Sequence, residues 1–362
     1  MKMKVKLNEL GVISTGNTPS KNVSEFCVSE DIGFVKPDII SDSQIDYIVK
    51  TTEYLSEAAR SKARIVKKDS VFVTCIGSIG KVGIAKGDEF AFNQQINAIE
   101  PNEKIIPKYL AYSILANKKK LQAIANAPVV PIINKTQFGE FEIDITDDVE
   151  EQAKIVALLD KVCSIIADRK IELEKMDDLI KARFIEMFGD PIRNTQNRPT
   201  TDFINVVKMQ RGFDLPVRDR QQDGNIPVFG SNGALDRHNI AKVQGGGIIT
   251  GRSGTIGKVY YTEDDYWPLN TSLFSVDTHG NNIIYLAYLL QMYDLSRFTE
   301  GTGVPTLNRN KFHNEPIIDV QLSEQEQFAV FVKQTDKLKV EVQKSLDETQ
   351  LLFDSLMQKY FG

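Results

Sequence analysis

The stretch from Glu150 to Gly189 is written twice in this chain, the second time, in altered wording, from Glu324 to Gly362. In the first copy Ile155, Leu159, Val162, Ile166, Arg169, Leu173, Met176, Ile180, Arg183 and Met187 alternate steps of four and three. That is the 3.5-residue period of a coiled-coil seam. The second copy keeps the steps less cleanly through Phe331, Thr335, Leu338, Val342, Ser345, Thr349, Leu352 and Leu356, with Leu346 and Phe353 alongside. Both copies stop at an aromatic residue and a glycine, Phe188-Gly189 and Phe361-Gly362. Glycine after the last helical turn takes the left-handed conformation that a Cβ opposes. Asp190-Pro191 then prevents the first helix from continuing. Two long helices, each closing a repeat, are the frame into which everything else must fit.

The parts between the helices repeat in order as well. Gly77-Ser78-Ile79-Gly80-Lys81-Val82 is answered by Gly254-Thr255-Ile256-Gly257-Lys258-Val259. The helix predicted from Pro107 to about Ala125 is answered by Ile283 to Phe298, and Val130 to Phe138 by Val304 to Phe312. Around these landmarks the alternating residues at Lys2, Lys4 and Lys6 predict a first strand, and Ile65–Val66, Val71–Thr74 and Val82–Ala85 predict strands flanking the first glycine loop. Phe92 to Ile99 reads as one further strand carrying amides at alternate positions. The second unit adds Ile226 to Gly233 and Gly245-Gly246-Gly247, loops that need positive φ or close approach. The fold class is mixed α/β, with two globular domains related by tandem duplication and separated by two long helices packed as an antiparallel coiled coil. Domain boundaries fall at 1–145, 146–189, 190–320 and 321–362.

Charge narrows the partners less than the net value of −5 implies. Residues 146–189 carry 7 basic against 11 acidic side chains and 321–362 carry 5 against 7, so the acidity sits on the helices. Residues 1–145, with 19 basic against 17 acidic, and 190–320, with 13 against 14, are near neutral, and the latter segment holds nine of the thirteen arginines. Such a distribution permits DNA binding without demanding it. No apolar run approaches the roughly 20 residues of a membrane span, and the amino-terminal lysines precede no signal-peptide core. Cys27, Cys75 and Cys163 show no metal-like spacing or pairing, which fits a reducing, cytoplasmic setting. His238, His279 and His313 form no ligand pattern.

Catalytic signatures are missing from the sequence. Gly251 to Lys258 has one residue too many for a phosphate-binding P-loop, and Val259 stands where Ser or Thr must hold magnesium. There is no amino-methyltransferase Asn/Asp-Pro-Pro-aromatic tetrapeptide, no glycine-rich Rossmann loop and no nucleophile–base set. The glycine loops can instead bring Lys81 or Lys258 to a DNA phosphate; an ordinary inter-strand turn is the plainer alternative. Asn134-Lys135-Thr136 and Asn308-Arg309-Asn310 combine the amide and cationic groups that read base edges, unless the asparagines serve only as helix caps.

In combination, the paired Gly-x-Ile-Gly-Lys-Val loops, the Val-Pro loops before Asn134-Lys135 and Asn308-Arg309, and the helices beginning near Glu151-Gln152 and Glu326-Gln327 and ending in Phe-Gly resemble the specificity subunit of a Type I restriction-modification system, over the full length. The resemblance implies two target-recognition domains, 1–145 and 190–320, each reading one half of a split site on double-stranded DNA. It implies a non-catalytic chain whose two helices space the domains and dock two methyltransferase subunits, in a complex able to recruit an endonuclease and translocase subunit. S-adenosylmethionine then belongs to the methyltransferase, and ATP and magnesium to the endonuclease; the chain itself needs no metal. By residue type at matching loops, the DNA-facing candidates are Ser78, Lys81, Gln94, Asn134, Lys135 and Thr136 in the first unit. In the second they are Arg211, Ser231, Asn232, Arg237, Arg252, Ser253, Thr255, Lys258, Thr306, Asn308 and Arg309. Apolar residues beside the seam, Leu158, Ile165 and Leu179, are candidates for partner docking. The alternatives are a stand-alone enzyme acting on nucleic acid and a coiled-coil scaffold with two protein-binding heads. Helices of about 38 residues span about 57 Å, more than one DNA turn of about 34 Å.

Overall fold

Lys2–Lys6 forms the expected first strand and pairs antiparallel with Glu142–Thr146. This computed structural model describes residues 2–20, 22–125, 130–301 and 305–362; Pro128, Val129 and Val304 of the two proline loops lie outside the described residues. The chain divides into unit 1, Met1–Asp168 with Leu346–Gly362, and unit 2, Arg169–Ser345. Both long helices, Val149–Phe188 and Leu322–Phe361, therefore contribute to both units.

Unit 1 is built on a sheet ordered Gly11–Thr15, Ile96–Pro101, Val71–Thr74, Val82–Ala85, Ile45–Ile48. Unit 2 repeats the first four places with Lys208–Arg211, Ser272–Asp277, Gly247–Gly251 and Val259–Thr262. A second, smaller sheet in each unit contains a parallel pair, Ile32–Val35 with Glu89–Phe92 and Ile226–Gly230 with Trp267–Pro268. The duplication read in the sequence is thus a duplication of topology. Both glycine loops turn on two left-handed glycines three residues apart, Gly77 and Gly80 (φ 75° and 83°) and Gly254 and Gly257 (φ 82° and 88°). A side chain at those positions would oppose the turn.

Three predicted elements break where an amide or an aspartate intervenes. Phe92 to Ile99 is two strands belonging to different sheets, because the Asn93 side chain accepts the Gln95 N–H (3.1 Å) and turns the chain. The helix from Pro107 stops at Ala116, where Asn117 donates to the Ser113 carbonyl (2.9 Å), and Lys118–Ala123 follows as a separate helix. Ile283–Tyr293 ends at Asp294, which adopts φ 54° before a 3-10 turn, Leu295–Phe298.

The long helices lie antiparallel within each unit. In unit 1, Ile155 and Leu159 share a core with Met357 and Phe361; in unit 2, Ile180, Phe184 and Phe188 share one with Phe328, Ala329 and Val332. Each unit thereby contains the start of one long helix and the Phe-Gly end of the other. Phe361 packs edge-on against Tyr109, and Phe188 against Tyr285, both with ring centroids 5.0 Å apart. Burying such a ring stabilises by about 1.5–3 kcal/mol before the aromatic contact is counted.

The seam itself departs from the predicted one. On the first helix the buried stripe shifts at its end from Arg183 and Met187 to Phe184 and Phe188, whose rings are fully enclosed. On the second, Phe328, Val332, Thr335, Val342 and Leu346 are buried and Phe353 half-buried, whereas Leu338 and Leu352 are exposed. Lys339 takes the inner position beside Leu338, with its ammonium reaching Asp177 (2.5 Å) and Asp336 (3.3 Å). A lysine stem covers apolar surface while its charged head stays paired, so hydrophobicity alone misplaces the phase by one residue.

The helix starts carry a second correction. Gln152 and Gln325, both buried, do the same work: Gln152 accepts the Ile106 N–H (2.9 Å) and donates to the Lys104 and Thr146 carbonyls (3.0 and 2.8 Å). Gln325 accepts the Asn282 N–H (2.8 Å) and donates to the Val320 carbonyl (2.8 Å) and to Asn281 Oδ1 (2.6 Å). The partner of Gln152 in the repeat is therefore Gln325, not Gln327, the register that also aligns Phe188 with Phe361.

Candidate nucleic-acid interface

Unit 2 brings five of the candidate residues together around one cleft of about 340 Å³, lined by Arg211, Arg252, Thr306, Asn308 and Arg309, with Glu300 as its carboxylate. Arg211 ends the edge strand, and its Nε donates to the Asn270 carbonyl (3.3 Å). Arg252 follows the buried strand Gly247–Gly251 and is fixed on both sides: its N–H donates to Thr271 O (2.9 Å), and its carbonyl accepts the Leu307 N–H (2.7 Å). Ser253 bridges Thr306, so the glycine loop and the proline loop meet here. Arg309 opens the short helix Arg309–Phe312, held between the buried side chains Leu307 and Phe312. His313 locks that helix to the arginine-bearing edge strand, since its Nε2 accepts the Met209 N–H (3.2 Å). Burial, helped by the neighbouring Arg309 and Lys208 charges, holds the imidazole below its usual range and so neutral, as this bond requires.

Neither Arg252 nor Arg309 has a carboxylate partner among the described residues. Glu300 is engaged instead by Asn308 Nδ2 and Lys311 Nζ, each at 3.1 Å, which hold its carboxyl below the ordinary range. Guanidiniums that line one cleft without ion-pair partners of their own suit an anion or an array of hydrogen-bond acceptors.

The remaining candidates are more scattered. Lys258 is exposed, with Nζ on Asn232 Oδ1 (3.3 Å); Ser231 and Thr255 lie half-buried, and Arg237 is exposed on the strand Gly233–His238. In unit 1, Lys81 turns inward and donates to the Pro37 carbonyl (3.2 Å), while Ser78 is exposed with its carbonyl bonded by Thr74. Gln94 is exposed and accepts from Thr18 (2.7 Å). Asn134 is a helix cap, its side chain accepting the Gln137 N–H (2.9 Å), and Asn308 caps likewise toward Asn310 (3.1 Å). Lys135 and Thr136 extend from the first turn, exposed. Neither Glu300, which lines the cleft, nor His313, which braces it through the Met209 backbone, stands in a sequence motif; only folding gives them these places. Leu158, Ile165 and Leu179 are all exposed. Among the described residues, no helix is long and apolar enough to cross a membrane, and no group of three or more His, Cys, Asp or Glu side chains is placed to hold a metal ion.

Comparison with known proteins agrees with this architecture. The chain is 32% identical over 190 residues to the Type I restriction enzyme HindI specificity subunit of Haemophilus influenzae, a match covering 49% of this chain and 40% of that protein. It is 29% identical over 164 residues to the EcoR124I/EcoR124II specificity subunit of Escherichia coli, covering 43% and 39%. The matched stretches thus span less than half of either curated relative. Two solved structures share the fold: the S subunit of a Type I restriction-modification system from M. genitalium, with a TM-score of 0.63 at 15% identity over 100% of this chain and 96% of that one; and a chain from a study of complex assembly in the type I R-M system, with 0.67 at 16% over 99% and 97%. The family profile described as Type I restriction modification DNA specificity domain matches residues 2–175 and 193–349, nearly all of both repeats. The chain belongs to the Type I restriction-modification DNA specificity family.

Proposed function

We propose that this chain is the non-catalytic DNA-reading subunit of a Type I restriction-modification complex, each unit reading one half of a bipartite site. The observation that carries the proposal is the unit 2 cleft, where Arg211, Arg252 and Arg309 gather and the last two lack carboxylate partners. Lys258 on the neighbouring loop positions a phosphate; the cleft addresses base edges. The long helices set the spacing between half-sites and dock two methyltransferase subunits through the exposed apolar residues beside the seam. In that complex S-adenosylmethionine sits in the methyltransferase, and ATP and magnesium in an endonuclease subunit recruited to the assembly.

The test is reconstitution. The purified chain alone should show no methyl transfer or cleavage, whereas the complex with its methyltransferase should methylate one split sequence, mapped across a genome. Methylation by the chain without a partner would sink the non-catalytic assignment.

A further inference from the structure

The two units can be matched bond for bond around the cleft. In unit 2 the Arg252 N–H donates to Thr271 O, its carbonyl accepts from Leu307, and Ser253 bridges Thr306. In unit 1 the Cys75 N–H donates to Gln95 O (2.7 Å), its carbonyl accepts from Ile133 (2.9 Å), and Ile76 bridges Ile132. Cys75 therefore stands where Arg252 stands. Arg211 precedes Gly212, whose N–H donates to Ser272 O (3.1 Å); Thr15 precedes Gly16, whose N–H donates to Ile96 O (3.1 Å). The capping asparagines 134 and 308 place Lys135 opposite Arg309. Three guanidiniums in unit 2 thus answer to a hydroxyl, a buried thiol and one ammonium in unit 1. Thr15 is spent on Asn97 Oδ1 (2.6 Å), and burial pushes the Cys75 thiol up to about 12, so both are neutral.

This contrast has a base-level meaning. In the major groove guanine offers two acceptors, O6 and N7, which fit an arginine fork, and its cytosine offers an N4–H donor, which a carboxylate accepts. An adenine at that place would set its N6–H donor against a guanidinium. Glu300 has two of its roughly four acceptor positions taken by Asn308 and Lys311. Resting on the DNA-reading function above, we propose that the unit 2 cleft reads a G·C pair, with Arg252 and Arg309 as guanine readers and Glu300 facing the cytosine; the matching place in unit 1 offers no arginine fork. Arg211, tied to Asn270, is a positioning residue.

The experiment uses the full chain with its methyltransferase and a target mapped by methylation profiling, each half assigned to a unit by exchanging residues 195–320. Every guanine is replaced in turn by 7-deazaguanine, which lacks the N7 acceptor, and binding is measured by competition. One guanine in the unit 2 half should cost about 10-fold on replacement. That penalty should vanish in Arg252→Ala or Arg309→Ala, and Lys135→Ala should leave it unchanged. A unit 2 half without a sensitive guanine would overturn the assignment on the unaltered protein, whatever the folding of the variants. So would a penalty that survives both substitutions. Arginine substitutions that weaken all duplexes alike would show a phosphate clamp and likewise end it. If the unmodified target binds no better than random DNA, the DNA-reading function itself fails along with this one.

Discussion

Lys81 and Lys258 follow the same glycine in the same loop, yet their ammonium groups face different partners. Lys258 extends to Asn232 at the surface, whereas Lys81 folds back on the Pro37 carbonyl. Lys258→Ala should weaken binding about equally on all sequences and flatten the salt slope by about one phosphate. Lys81→Ala should leave the slope alone and cost unit 1 about 0.5–1.5 kcal/mol, the net worth of one hydrogen bond. Salt titrations of both variants beside thermal melts separate the roles; equal flattening would show that Lys81 also meets DNA. Gln325 offers a stability test at the same scale. Gln325→Leu removes three hydrogen bonds at the helix start and leaves the Asn282 N–H and Val320 carbonyl without their partner. Each such group costs about 1–3 kcal/mol if it stays dry, so the unit 2 melting transition should drop by several degrees; an unchanged melt would mean that water replaces the amide.

Aligning Gln152 with Gln325 gives the long helices a common register, and that register exposes a pattern. Leu158 then corresponds to Phe331, Ile165 to Leu338 and Leu179 to Leu352; all but the half-buried Phe331 are exposed. A coiled-coil seam buries one stripe of each helix, and here a second apolar stripe recurs at the same heptad position in both. A repeated face fits a partner that binds twice. Ile165→Asp and Leu338→Asp should each reduce the methyltransferase copies that co-purify, and together abolish them, while circular dichroism stays native. Full stoichiometry in the double variant, read by native mass spectrometry, would place docking elsewhere. The stripe was legible on the first helix, where Leu158, Ile165 and Leu179 flank a clean seam. On the second it was hidden, because Lys339 occupies an inner position and leaves the exposed Leu338 looking like the seam residue.

For the whole molecule the duplication predicts that the proposed target is separable. Replacing residues 195–320 with the corresponding unit of a related specificity subunit should change one half of the methylated site and leave the other half intact. Inserting about four residues, one turn and roughly 6 Å, into the middle of the first long helix should lengthen the spacer without altering either half. Genome methylation profiling decides both; a site changed in both halves would end the bipartite reading. By itself the sequence determined the repeat, the two glycine loops and the two helices. Glycine at a left-handed turn, proline after a helix and a 3.5-residue apolar period act over a few residues, and so they show in the string. The tertiary structure decided which candidate residues share a cleft. Arg211, Arg252 and Arg309 are far apart in the chain and converge because the edge strand, the buried strand end and the capped helix are bonded to one another through Met209–His313 and Arg252–Leu307. It also decided which lysine of a matched pair stays at the surface, since Pro37, which holds Lys81, is distant in sequence and leaves no mark on the loop that it restrains.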